Sequence, residues 1–211
     1  MKTEPRVTRG RKFNQVLDGA RTVFLRDGFE GASVDDIARE AGVSKATLYS
    51  YFPDKRLMFA EVFRAELQRE SSMARGLVDI ELPAAQVLPF IVQLIAAHLV
   101  GDFGVRAFRL SVAEAERFPA LAAEYYETGP VLLRNMLCEY LTKAVGRGEL
   151  QIDDLELAAD QLIELSSASI HDRAMMLGPA SVDEAHLRRT VDGAVRVFMA
   201  AYGVRPADAA S

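Results

Sequence analysis

Lys45, Thr47, Tyr49, Tyr51 and Lys55 fall inside one short run, GVSKATLYSYFPDKRL at residues 42–57, and together they form a set of hydrogen-bond donors with two positive charges. A lysine ammonium can donate to guanine acceptors or to phosphate. The Thr47 hydroxyl and the tyrosine hydroxyls can donate to bases or phosphates, and Ala46 with the Thr47 methyl can pack on thymine methyls. Catalytic chemistry has no comparable set. Glu114 and Glu116 stand two apart on a helical stretch, so they face different ways and make a poor acid/base pair. There is no nucleophile elbow, phosphate loop or zinc-protease motif, so an enzyme is not expected. His98, His171 and His186 lie far apart in sequence, and a metal sensor would have to be assembled from His98, Cys138, His171 and nearby carboxylates.

Side chains on so short a segment need a scaffold. Ser44 is placed to cap a helix that must end at Phe52, because the residue before Pro53 is pushed out of the α region. Such a helix has barely two turns and would not persist alone in water. Leu48 and Phe52, four apart, give it an inward side, which leaves Lys45, Ala46, Thr47, Tyr49 and Tyr51 outward. Upstream, Phe13, Val16, Leu17, Ala20 and Phe24 recur at helical spacing as far as Gly28, a C-terminal glycine. Ser33 then offers an N-cap with Asp36 three residues later, and Ile37, Ala38 and Ala41 form the inward face of a second helix. Asp54 caps a fourth, with Leu57, Ala60, Val62, Phe63 and Leu67 available to pack and a run to about Arg75. A stubby helix docked on a helix-turn-helix pair presents a convex tip that fits a DNA major groove. Lys55, beside the start of the fourth helix, suits a phosphate. The competing reading is a three-helix bundle whose tip is a solvated face.

The charge distribution agrees with a polar end that meets a polyanion. The chain of 211 residues carries a net charge of −5. Residues 1–75 hold 14 Lys or Arg against 11 Asp or Glu, a net of +3, whereas residues 76–211 hold 11 against 19, a net of −8. One end attracts a polyanion and the other repels it. The single cysteine, Cys138, excludes an internal disulfide framework and fits a reducing compartment. The first residues, MKTEPRVTRGRKF, are charged and contain no apolar core of a signal peptide, so a cytoplasmic protein is expected. The greasiest stretch, VLPFIVQLIAAHLV, is too short for a bilayer and is interrupted by Gln93 and His98, so it reads as a buried helix and no membrane partner is expected.

From Leu82 onward the apolar period is helical, with punctuation at VGDFG, RFP, ETGP, GRGEL and LGPAS and no alternating strand run. An all-α body of five or six helices follows. DLELAADQLIELSSASIHDRAMML reads as one helix whose Ser166, Ser167, Ala168 and Ser169 permit close approach of a partner. In the final helix Leu187, Val191, Ala194, Phe198 and Ala201 step by four and three, as in a two-helix seam. With Leu162, Leu165, Ser166 and Ser169 they make the candidate dimer interface, a four-helix bundle across a two-fold axis.

The stretch from about Phe13 to Leu67 resembles the DNA-binding domain of the TetR family of transcriptional repressors. The resemblance is carried by the Gly28-Phe29 turn, the Ser33 to Ala38 segment, AGVSKATLY, the Tyr51-Phe52 pair and the lysine of PDKRL. It implies an N-terminal three-helix helix-turn-helix domain joined by a long fourth helix to an all-helical ligand-binding and dimerisation domain. It also implies a homodimer on a partly palindromic double-stranded operator, released when a small molecule enters the larger domain. By position, Lys45, Ala46, Thr47 and Tyr49 match base-contact positions and Tyr51 and Lys55 match backbone contacts. Ser33 and Val34 begin a helix laid against phosphate, and Ser44 is a cap that also reaches DNA. Asp35 and Asp36 depart from relatives that carry basic or hydroxyl residues there, which leaves base reading by Asp35 to a cytosine amino group.

RLSVAEAERFPALAAEYYETGP, RGEL and DDLELAADQL resemble the ligand domains of the AefR-like branch. That resemblance implies an effector pocket, with Phe90, Leu94, His98, Phe108, Tyr126, Met136, Tyr140 and His171 as candidate lining and a mostly apolar small molecule as ligand. No cofactor or metal is expected. The division of the chain is then a basic flexible arm at 1–12, the helix-turn-helix at 13–57, the effector and dimer domain at 58–203 and a disordered tail at 204–211. A ligand- or metal-sensing protein of the same fold that does not repress an operator is the alternative.

Overall fold

The computed structural model describes residues 11–62, 64–65, 82–116 and 119–204, which divide into two compact units, Met1–Gln68 and Arg69–Ser211. The basic arm before residue 11, the far part of the expected fourth helix and the tail after residue 204 lie outside the described residues.

In the first unit α1 (Arg11–Gly31) buries Phe13, Val16, Ala20, Val23 and Phe24 along one stripe. The helix is broken at Gly28, whose φ of 72° and ψ of −179° only glycine adopts freely, and one further turn follows to Gly31. Next comes α2 (Val34–Glu40), capped by Ser33, whose hydroxyl accepts the Asp36 N–H at 3.0 Å and donates to the Asp36 carboxylate at 2.5 Å. α3 (Lys45–Tyr51) is capped by Ser44, which accepts the Thr47 N–H at 3.1 Å, and it stops at Phe52, extended at φ −131° before Pro53. α4 is helical over 55–62 and again at 64–65. Its buried side chains are Met58 and Val62, while Leu57, expected to pack inward, is 52% exposed.

An aromatic cluster closes this unit. Phe13 stacks on Phe52 with centroids 5.2 Å apart and meets Tyr51 edge-on at 6.0 Å. Phe24 meets Phe59 edge-on at 5.0 Å, and Phe29 meets it at 5.5 Å. Gly19 lets α1 lie directly on the end of α2, since a Cβ there would sit 2.6 Å from the Ala41 nitrogen and 2.7 Å from its Cβ.

Seven α-helices make up the second unit among the described residues, one or two more than the punctuation suggested. α5 (Ala84–Val100) is its centre, with Val87, Leu88, Ile91, Val92 and Ile95 buried. α6 (Asp102–Glu114) and α7 (Pro119–Tyr126) follow. ETGP, expected as a break, is the π-helical segment Glu127–Val131, which carries α7 straight into α8 (Leu132–Gly146). A π turn absorbs Pro130, which has no N–H to give an α-helical ladder. α9 (Leu155–Ser167) and α10 (Ile170–Leu177) were expected as one helix, but the chain turns sharply between them at Ser169, φ 65°. Ser166 and Ser167 donate their hydroxyls back to the Leu162 and Glu164 carbonyls at 2.6 and 2.9 Å, which weakens the helix end. After a short 3₁₀ turn, α11 (Glu184–Tyr202) is capped by Asp183. The only extended pairing among the described residues is an isolated bridge, Leu150 with Gly203.

Burial corrects the expected dimer seam. Leu162, Val191, Ala194 and Phe198 are buried within their own chain, in one core with Leu88, Tyr140 and Leu141, and Ser166 is buried as well. Leu165 and Leu187 are partly buried against the same core, and Ser169 is an exposed turn residue. Of the four-and-three spacing of α11, Val191, Ala194 and Phe198 face α5 and α9 within the chain, while Ala201 is exposed.

Candidate DNA-binding surface

α3 is held from beneath by Leu48 and Phe52, both almost fully buried. Its other side presents Lys45, Ala46 and Tyr49 to solvent, with Thr47 and Tyr51 half-buried. Thr47 is drawn toward the cap, its hydroxyl 2.9 Å from that of Ser44, and Tyr51 leans on Phe13. Ser50, which sequence spacing did not single out, is also exposed and donates to the Thr47 carbonyl at 2.6 Å.

Two cations of the expected set are engaged within the protein. The Lys55 ammonium donates to the Phe29 and Ala32 carbonyls at 2.7 and 3.1 Å and lies 4.5 Å from the centre of the Phe29 ring. It therefore ties the start of α4 to the carbonyls that the Gly28 break leaves free, leaving one of its three donors for another partner. Lys45, at the first residue of α3, forms an ion pair with Asp35 of α2. Ser33 and Val34 sit at the start of α2, exposed and half-buried respectively. Asp36 is taken up locally: the Ser33 hydroxyl above all, then Arg39 at 2.7 Å, hold its carboxyl below the usual carboxylate range. The Asp35 to Lys45 pairing was invisible to helical periodicity because its members are on different helices. Opposite charges flanking a turn of known length were the available signal.

The candidate pocket residues are dispersed. Phe108 of α6 and His171 of α10 meet edge-on at 5.2 Å, and Phe108 also meets Tyr125 of α7 at 6.4 Å. His98 and Met136 are half-buried, whereas Phe90, Leu94 and Tyr126 lie on exposed helix faces. Tyr140 is part of the buried core of the second unit, and burial pushes its hydroxyl pKa up. A separate open depression of about 530 Å³ is lined by Gln151, Asp153, Asp154 and Ala200 to Gly203. Cys138 points its thiol at the Leu155 carbonyl, 3.6 Å away, and burial raises its pKa. No three metal-binding side chains converge among the described residues.

Residues 16–62 match the family described as bacterial regulatory proteins, tetR family, and residues 86–204 match the AefR-like transcriptional repressor C-terminal domain. The chain belongs to the TetR family of transcriptional regulators. This TetR-family protein is 26% identical to the HTH-type transcriptional regulator UidR of Escherichia coli (strain K12) over 174 residues, 82% of this chain and 84% of that one. It is similar in structure to a protein from Mesorhizobium loti MAFF303099 described as a TetR-family transcriptional regulator, with a TM-score of 0.85, 29% identity and coverage of 95% and 100% of the two chains. The flavonoid-responsive regulator FrrA matches with a TM-score of 0.69 and 30% identity over 93% of this chain and 100% of that one. The TetR-family protein is accordingly a DNA-binding regulator and not an enzyme, with a helix-turn-helix in its first unit and an all-helical second unit.

Proposed function

We propose that the protein is a cytoplasmic, homodimeric repressor that binds a partly palindromic operator and is released by a small, mostly apolar effector. The observation that carries this reading is the seating of α3: one side is locked by Leu48 and Phe52, and the other offers Lys45, Ala46 and Tyr49 in the open. Packing alone would not select those three side chains. Thr47, Tyr51, Ser44, Ser33, Val34 and the remaining donor of Lys55 complete the proposed contact set, the last five toward phosphate. Two such tips about one DNA turn apart, roughly 34 to 36 Å, would read two half-sites.

For the dimer we turn to the outward faces of α9 and α11, where Leu157 and Val197 are 51% and 49% exposed. For the effector we favour the meeting of α6, α7 and α10 around Phe108, Tyr125 and His171, where an edge-on ring pair would open to admit an apolar guest. The likeness to FrrA, described as flavonoid-responsive, supports an aromatic effector. An effector loosens DNA only by preferring the geometry that does not fit the operator. The test is a footprint on the DNA flanking the protein's own gene, repeated with an aromatic ligand library. A protected two-fold site that one ligand abolishes is expected, and no protection anywhere in that DNA would overturn the reading.

A further inference from the structure

The Asp35 carboxylate and the Lys45 ammonium pair across the turn between α2 and α3, with their side chains 55% and 59% exposed. Neither belongs to the hydrogen-bond frame that shapes the two helices. Ser33 and Asp36 cap α2, Asp36 pairs with Arg39, and Ser44 with Thr47 caps α3. An exposed pair of this kind contributes little to folding. Its consequences fall on whatever approaches the tip of α3.

A lone lysine is a mobile point charge that any phosphate satisfies, so it favours DNA without regard to sequence. A carboxylate held against it changes both properties. The net charge of the tip falls, which weakens attraction to the backbone, and the ammonium is anchored in one direction. The carboxylate itself accepts hydrogen bonds and cannot donate, so it tolerates only a donor opposite it. Across the major-groove edge of a G·C pair lie two adjacent acceptors, guanine N7 and O6, then the cytosine N4 amino donor, with no methyl group beyond. An A·T pair alternates acceptor, donor and acceptor and ends in the thymine methyl, which would desolvate a carboxylate. The ammonium beside carboxylate satisfies all three groups of the first order, whereas on the second it can meet N7 and N6 only by setting the carboxylate against the thymine O4 acceptor.

We propose that Asp35 and Lys45 act as one unit that reads a G·C pair, Lys45 donating to guanine O6 and N7 and Asp35 accepting from cytosine N4, which makes Asp35 a specificity-determining residue. The proposal rests on the reading that α3 enters the major groove.

The test is selection of binding sequences from a random duplex library by the full-length wild-type chain, Asp35→Ala and Lys45→Met, followed by affinity and salt titrations on the winning duplex. The wild type should enrich a motif with a G·C pair in each half-site. Both substitutions should relax preference at that same pair, by on the order of tenfold. Asp35→Ala should also bind random DNA more tightly with a steeper salt slope, because the freed ammonium turns to phosphate. Unfolding curves that match the wild type will show that neither substitution acts through stability. A wild-type motif that Asp35→Ala leaves unchanged at every position, or relaxation at different positions by the two variants, would overturn the joint reading while leaving DNA binding intact. A wild type that enriches no sequence would overturn the DNA-binding reading and the pair's role together.

Discussion

In the first turn of α4 the Lys55 ammonium donates to the Phe29 and Ala32 carbonyls, so this side chain supports the fold before it meets any DNA. Hydrogen bonds from a charged donor in a half-buried place are worth about 1–3 kcal/mol. Lys55→Met is therefore expected to lower the unfolding free energy of the first unit by that amount, read as a lower urea midpoint at unchanged m, and also to weaken DNA binding with a shallower salt slope. An unchanged slope beside a lowered midpoint would confine Lys55 to the clamp. Its sequence position suggested the phosphate role, but the clamp depends on carbonyls 23 and 26 residues away, which no local pattern reports. Glu149 is a comparable long-range case. Its Oε1 takes a hydrogen bond from Arg147 at 2.7 Å and its Oε2 accepts the Ala84 N–H at 2.6 Å, so it caps α5 from across the second unit. Arg147 first, and the Ala84 N–H after it, hold its carboxyl below the ordinary 4.5. A depressed folded pKa means stability that is whole above pH 4.5 and drains away as pH falls through the lower folded value. Glu149→Gln should flatten that part of the acid limb in pH-dependent thermal unfolding, and an acid limb identical to the wild type would contradict the assignment.

At the scale of helices, the first unit was readable because its signals are local: Ser33 and Ser44 are caps, Gly28 breaks α1, and Pro53 ends α3 through Phe52. The periodicity of α1 and α3 named Phe13, Val16, Ala20, Leu48 and Phe52 correctly as core. What periodicity does not report is how closely two helices approach. Gly19 lies against Ala41 with no room for a methyl group, so Gly19→Ala must push α2 away from α1 or distort both. Overpacking of this sort costs about 1–3 kcal/mol. The variant should show that loss in chemical unfolding and should bind operator DNA more weakly than its stability loss explains, since α2 carries α3 with it. Wild-type stability would show that the two helices separate freely. In the second unit the misreadings came from junctions. Pro130 is absorbed by a π turn, while Ala168 and Ser169, which carry no glycine or proline signal, break a helix that the apolar pattern continues. The Ser166 and Ser167 hydroxyls that bond back weaken the helix end locally, and the Thr190 hydroxyl of α11 donates to the freed Ala168 carbonyl at 3.3 Å.

For the whole molecule, the proposed homodimer turns on which surface would meet a second copy. A regular apolar spacing on a helix marks a face to be buried, and it does not say whether the cover comes from the same chain. In α11 the cover is internal: Val191, Ala194 and Phe198 lie in the core of the second unit. Removing one of them should therefore act on folding. Phe198→Ala is expected to cost about 3–5 kcal/mol through the cavity it leaves. Leu157 and Val197 face outward on α9 and α11, and a charge at either position disturbs no internal contact of that core. The double variant Leu157→Arg with Val197→Arg should keep its helical circular dichroism and its unfolding midpoint while sedimenting as a monomer. A protomer that has lost its partner holds a single recognition helix, so the same variant should bind one half-site weakly and lose the footprint over the paired site. A double variant that still sediments as a dimer would move the interface to another face, with the outward sides of α5, where Phe90 and Leu94 are exposed, and of α10, where Met176 and Leu177 are exposed, next in line.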